Sequence, residues 1–163
     1  MKKQPNSLNC FVCGVENDYG LKLDFYQNDE GEVIVETIVS EKYQGYPGVV
    51  HGGIVASLVD EVLGRVHMGL NEPQHPRFMF TAKLTIQYRQ PVPIGKPIKI
   101  IGQAVKSKKR TATSTAKIYN TAGAILVDAE AVLINIPDEV IGTVDLESLG
   151  WKIYEDEEKI HDS

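Results

Sequence analysis

The run Gly53-Ile54-Val55-Ala56-Ser57-Leu58-Val59-Asp60-Glu61-Val62-Leu63-Gly64 is apolar on nearly every side when wound as a helix. Such a helix belongs in an interior, because a surface helix confines its apolar residues to one stripe. Its period and composition predict a buried helix from about residue 53 to about residue 69. Upstream, Leu21-Lys22-Leu23-Asp24-Phe25 alternates as a half-buried strand does, and Asn28-Asp29-Glu30-Gly31 reads as a turn. A second strand is expected over 32–39, followed by an ordered loop rich in Gly, Pro and Tyr over 40–50. Downstream of a proline-bearing loop at 71–77, strands are expected over 80–89, 97–106, 110–120 and 124–135. Two strands, one buried helix and four strands make an α+β domain, with an antiparallel sheet wrapped on a central helix. The alternating Thr/Ala stretch 110–119 suits a strand lying close against that helix.

The chain has 163 residues, 17 Lys and Arg, 22 Asp and Glu, and a net charge of −5. That length fits one domain. We expect the fold to occupy 1–136, with residues 1–20 as an N-terminal segment and 137–163 as an acidic extension. The extension carries nine acids and two bases, so the body is +2. An acidic chain is a poor non-specific nucleic-acid binder, no apolar run is long enough to span a membrane, and no signal-peptide core is visible. Two cysteines point to a reduced, cytoplasmic setting. Within the body, Lys106-Ser107-Lys108-Lys109-Arg110 places four cations in one hairpin. Such a cluster is either a solvated turn or a landing site for phosphate.

His51-Gly52-Gly53 lies where the loop enters the buried helix. Glycines let a ligand approach the backbone, and the first amides of a helix lack intrahelical acceptors. A Gly52 or Gly53 N–H could therefore stabilise an oxyanion; a tight turn with a structural His51 is the plainer reading. Asp60, among Leu58, Val59, Val62 and Leu63, is costly to bury without a partner. It shares a helix face with Gly53 but lies about 10 Å further along the axis. One reacting carbonyl cannot bridge that gap within a chain. The spacing thus suggests a homodimer with composite sites, Gly53 from one copy facing Asp60 of the other. Glu61 is expected to face polar surroundings.

These residues, with the preceding Tyr43-Gln44-Gly45-Tyr46-Pro47-Gly48 loop, resemble the hotdog-fold acyl-CoA thioesterases of the phenylacetate-degradation type. Cys10-Phe11-Val12-Cys13-Gly14 with Asn17 and Gly20-Leu21 resembles an N-terminal signature of many members. Residues 81–93, Thr-Ala-Lys-Leu-Thr-Ile-Gln-Tyr-Arg-Gln-Pro-Val-Pro, resemble their third strand and its exit turn. The resemblance covers roughly residues 10–135. It implies that the Gly53 amide polarises the thioester carbonyl and that His51 and Gly52 support the loop and substrate. Asp60 of a partner subunit would act as general base or nucleophile, with Thr81 positioning water. Lys106, Lys108, Lys109 and Arg110 would meet coenzyme A phosphates. Two positions depart from the family pattern: Gly64 stands where some members have Ser or Thr, and Gly45 where some have Asn.

The expected reaction is hydrolysis of an acyl-CoA to a free acid and coenzyme A, without metal or redox cofactor. The alternatives are a non-catalytic acyl-CoA-binding module and, ranked last, an acyl-thioester hydratase or dehydratase. The assembly is expected to be a homodimer, with pairing into a dimer of dimers left open. Cys10 and Cys13 lack a second pair and are read as structural; His67 and His75 show no metal spacing. His67 is expected to be a helix-end dipole partner or solvent-facing, Arg65 to be exposed, and the acidic tail to be inert.

Overall fold

Strand β1 (Lys2–Lys3) and strand β2 (Tyr26–Gln27) are two residues each and lead to the longer β3 (Val33–Ile38). A 3-10 turn at Glu41–Tyr43 precedes helix α1 (Gly52–Arg65). Four long strands follow: β4 (Met79–Tyr88), β5 (Pro97–Ser107), β6 (Thr111–Asn120) and β7 (Ile125–Asn135). A one-turn helix, α2 (Asp138–Ile141), comes after them. The structure, a computed structural model, describes residues 1–69 and 76–155. His75 lies outside the described residues, as does the chain beyond 155. The strands form one antiparallel sheet in the order β1-β2-β3-β5-β6-β7-β4, and α1 packs against β3 through β7. This is the expected hotdog arrangement.

Alternation builds the sheet's inner face. Val33 and Val35 of β3, Ile98 and Ile100 of β5, and Ala112, Ser114, Ala116 and Ile118 of β6 are buried. They meet Leu58, Val59, Val62 and Leu63 of α1, all fully enclosed. The small side chains of β6 let the helix come close, and the buried Ser114 hydroxyl donates to the Leu63 carbonyl at 2.9 Å. Gly102 of β5 marks the tightest approach: a Cβ there would stand 2.5 Å from Val62 Cγ1 and 3.1 Å from Val66 Cγ1. Valine on a helix has almost no alternative rotamer. Gly102→Ala should therefore destabilise the fold by about 1–3 kcal/mol, read as a lower urea midpoint at unchanged slope.

Two expected elements differ. Residues 21–25 form no strand, because their amides serve the N-terminal loop: Leu21 N–H donates to the Phe11 carbonyl and Leu23 N–H to that of Val12. Lys22 has φ +51°, which breaks an extended run, although Leu23 and Phe25 are still buried. Helix α1 ends at Arg65, four residues early; Val66 N–H and His67 N–H both turn back to the Gly64 carbonyl. Among the described residues no helix is long and apolar enough to cross a membrane.

β4 is the feature that matters most for a site. Among the described residues it pairs with β7 alone and ends the sheet order, which leaves its other edge open there. Its register slips between Thr81 and Lys83, where Ala82 is the extra residue of a bulge. A bulge re-aims neighbouring side chains, and here it accompanies a Thr81 side chain turned onto α1.

Candidate active site

The loop entering α1 is held by its own backbone. His51 N–H donates to the Tyr43 carbonyl, Gly45 N–H to that of Val49, and Val50 N–H to that of Val92. Gln44 Oε1 accepts from Gly48 N–H at 2.8 Å, so that side chain is spent on the turn, which needs glycine at 48 for its φ of +77°. Gly45 lies against His51: a Cβ would stand 3.1 Å from His51 Cα and 3.5 Å from its ring. A side chain at that position would require His51 to give by a few tenths of an ångström.

His51 is the N-cap of α1, and its Nδ1 accepts from Gly53 N–H at 3.0 Å. That bond places the proton of the neutral imidazole on Nε2. The amide expected to meet a substrate carbonyl is thus already engaged by the capping ring. Gly52 N–H, beside it, makes no hydrogen bond among the described residues. Tyr88 Oη donates to the Gly52 carbonyl at 2.9 Å and fixes the first helical turn against β4. His51, Gly52, Tyr46, Val55, Tyr88 and Gln90 line a cavity of about 710 Å³.

Asp60 lines a different cavity. It is half-buried rather than enclosed, and Thr81 Oγ1 donates to its Oδ1 at 2.7 Å. The second cavity, about 540 Å³, is walled by Asp60, Thr81, Gly64, Met68, Phe80 and Trp151 among others. Gly64 leaves this wall open where a side chain would enter it: beyond its own helical turn, a Cβ there would meet nothing within 4 Å. Within one chain, then, the helix-start amides and the carboxylate do not share a cavity.

The basic hairpin is where the sequence places it. Lys106, Lys108, Lys109 and Arg110 are exposed around the β5–β6 turn. Arg77, which the sequence reading passed over, clamps that turn. Its Nη1 donates to Ser107 Oγ and its Nη2 to the Lys108 carbonyl, each at 2.7 Å, while Nε donates to Asn135 Oδ1. Asn135 completes the clamp by donating to the Lys109 carbonyl. The hairpin is therefore a braced cationic platform.

Residues 47–126 match the profile of the thioesterase superfamily. Over that stretch, just under half of its length, the chain is similar to this superfamily. Among curated relatives, the acyl-coenzyme A thioesterase THEM4 of Bos taurus is 30% identical over 101 residues, covering 61% of this chain and 39% of that protein. This chain spans half or less of the length of the THEM4 relatives from Bos taurus, Rattus norvegicus and Xenopus laevis. A solved thioesterase superfamily protein aligns with TM-score 0.70 at 28% identity, over 78% of this chain and 63% of that one. A Streptococcus mutans protein solved with bound acetyl-CoA aligns with TM-score 0.61 at 24% identity, over 70% and 88% of the two chains.

Elsewhere, Arg65 and His67 depart from expectation, and part of the acidic extension packs against the body. Arg65 is not exposed: it is 1% accessible, with Nη1 donating to the Pro5 carbonyl, Nη2 to Asn6 Oδ1, and its guanidinium 3.8 Å over the Phe25 ring. Its Nε pairs with Glu61 Oε1 at 2.8 Å, so Glu61 faces a buried cation. His67 is half-buried with Nε2 3.1 Å from the Thr113 carbonyl, and burial holds its imidazole below the ordinary value. The acidic extension reaches the site: Leu149 accepts from Leu8 N–H, while Trp151 stacks edge-on to Phe78 and walls the Asp60 cavity. Nearby, the Cys13 thiol hydrogen-bonds to Cys10 and pulls the Cys10 thiol down to about 6, against its burial. The same contact, with burial, pushes Cys13 far up.

Proposed function

We propose that this chain hydrolyses acyl-CoA thioesters to a free acid and coenzyme A, at sites shared between two copies. The observation that carries the reading is the Thr81–Asp60 hydrogen bond on the wall of an otherwise mostly apolar cavity. A carboxylate oriented by a hydroxyl, with room for water and an acyl group, is equipped for base catalysis. The name of the bovine relative and the acetyl-CoA in the streptococcal neighbour support the substrate class. The open β4 edge supports pairing of two copies, since an unpaired edge is a template for another strand.

In the proposed reaction, Asp60 of one copy takes a proton from water, and the water oxygen attacks the carbonyl carbon. The resulting oxyanion shares the Gly53 N–H of the other copy with His51 Nδ1, beside the Gly52 N–H. Collapse breaks the C–S bond, and the thiolate of coenzyme A takes the proton from Asp60. The alternative, direct attack by Asp60, gives an anhydride that water then opens. Lys106, Lys108, Lys109 and Arg110 hold the phosphates on the platform braced by Arg77. No metal or redox group enters this scheme. Free cysteines at 10 and 13 favour a reduced, cytoplasmic setting.

The test is thiol release from a panel of acyl-CoAs by the purified chain. Turnover with at least one chain length is expected. Calorimetric binding without release would instead favour a sensing module, and addition of water across an enoyl thioester a hydratase. The shared site has its own test. Asp60→Asn and Gly53→Pro copies, each inactive alone, should recover about a quarter of wild-type activity when refolded together one to one. Half the dimers are then mixed, and each mixed dimer has one intact site of two. No recovery in mixed dimers of verified mass would place the whole site within one chain.

A further inference from the structure

The proposed hydrolysis leaves unused a cluster on the wall of the Asp60 cavity. Cys10 Sγ, Cys13 Sγ and one carboxylate oxygen of Glu61 all lie within 4.8 Å of one another. The sequence offered only two ligands here, too few for a metal; the fold supplies a third from α1. We propose that Cys10, Cys13 and Glu61 bind one thiophilic divalent cation of the zinc class, with water from the cavity as fourth ligand.

The turn carrying the cysteines is shaped for a sulfur ligand. Amides of Val12 and Cys13 donate to Cys10 Sγ at 3.3 and 3.5 Å. Amide donors stabilise sulfur as the thiolate, which is the form that binds metal. The turn closes so tightly after Cys13 that a Cβ on Gly14 would stand 2.3 Å from the Cys10 carbonyl oxygen. Glycine at that position lets the two sulfurs face the same side.

Glu61 is held as a ligating carboxylate usually is, by a hydrogen bond from outside the cluster. Arg65 Nε donates to Glu61 Oε1 at 2.8 Å, and the guanidinium is fixed in turn by Pro5 and Asn6. That bond uses one of the carboxylate's several lone-pair sites, and others are left for an ion. Charge balances as well: two thiolates and a carboxylate offset a divalent ion and the buried guanidinium. Ligand atoms around tetrahedral zinc stand about 3.5–3.8 Å apart, so the cluster need contract by no more than about 1.3 Å. Cys10 and Glu61 are half-buried and, with Cys13, line the 540 Å³ cavity, which gives an ion an entry path and a water. The ion would tie the N-terminal segment to α1 one residue from Asp60.

The full chain, purified under thiol reductant and stripped with chelator, is titrated with Co(II). A thiolate-to-cobalt band in the near ultraviolet and the visible bands of tetrahedral Co(II) are expected, saturating near one ion per chain and erased by Zn(II). Cys10→Ser should abolish the thiolate band, and Glu61→Gln should weaken binding roughly tenfold or more. Far-ultraviolet circular dichroism checks that each variant folds, and the wild-type titration stands without them. Absence of the band in reduced wild-type protein would overturn the proposal, as would a band unchanged in a folded Cys10→Ser variant. Loss of two hydrogens by mass spectrometry in the presence of Zn(II) would also overturn it, assigning the pair to disulfide formation instead.

Discussion

Asp60→Asn should lower the rate of thioester hydrolysis by about 10²–10⁴-fold with KM nearly unchanged. The substitution keeps the shape of the side chain, and the Thr81 hydroxyl can still donate to the amide oxygen as it does to Oδ1. What the proposed reaction then lacks is its proton acceptor for the attacking water, needed in the transition state and not for substrate binding. Thr81→Val makes the complementary cut, keeping the base and removing its orienting bond. A hydrogen bond to a charged group contributes about 1.5–3 kcal/mol, which corresponds to roughly 10- to 100-fold in rate. If direct nucleophilic attack operates, acyl-enzyme trapped by rapid quench should appear on Asp60 in wild type and be lost in Asp60→Asn. Steady-state thiol release, corrected for folded protein by circular dichroism, measures both variants. An Asp60→Asn enzyme within threefold of wild type would remove this carboxylate from the chemistry.

Local pattern made the helix and the long strands legible, because burial imposes a period that the residues obey one by one. The helix core Leu58, Val59, Val62 and Leu63, and the strands holding Ile100, Ile118 and Leu133, were readable in this way. The pairing of Asp60 with Thr81 was only partly so. Each residue stood out by itself, but the bulge at Ala82 beside Thr81 is set by the β4–β7 register, which no local signal encodes. Residues 21–25 misled for a related reason: alternation reports burial of one face, not a ladder partner, and the amides of Leu21 and Leu23 found the N-terminal loop. The capping of Gly53 by His51 follows from a ring that folds back two residues, a geometry invisible in a tripeptide. Arg77 had no signal at all, since its partners Ser107, Lys108 and Asn135 are thirty or more residues distant. Arg65 had one that could have been used: Glu61 precedes it by four residues, the spacing of an intrahelical ion pair.

That arginine carries the largest stability effect expected in the chain. Arg65→Ala should destabilise the fold by about 3 kcal/mol, near the low end of the cost of breaking a buried ion pair. The change strips partners from the Pro5 carbonyl and Asn6 Oδ1, both in buried residues, and removes the cation stacked on Phe25. It also leaves Glu61 without its counter-charge, although a side chain 24% accessible still draws on solvent, which keeps the penalty from the upper end. Arg65→Met separates packing from charge by restoring most of the apolar bulk over Phe25. If the unpaired carboxylate dominates, Arg65→Met should be nearly as unstable as Arg65→Ala, and adding Glu61→Gln to it should recover stability. If packing dominates, Arg65→Met alone should recover most of the loss, and the second substitution should add little. Urea unfolding at fixed slope reads these proteins together with Glu61→Gln alone, which closes the double-mutant cycle and isolates the pair. The N-terminal segment gives an independent readout, since Arg65 is what binds Pro5 and Asn6 to the helix: amides of residues 4–8 should exchange faster in Arg65→Ala than those of β6. Equal protection in both regions, with an unchanged urea midpoint, would show that the buried guanidinium contributes nothing to holding this segment in place.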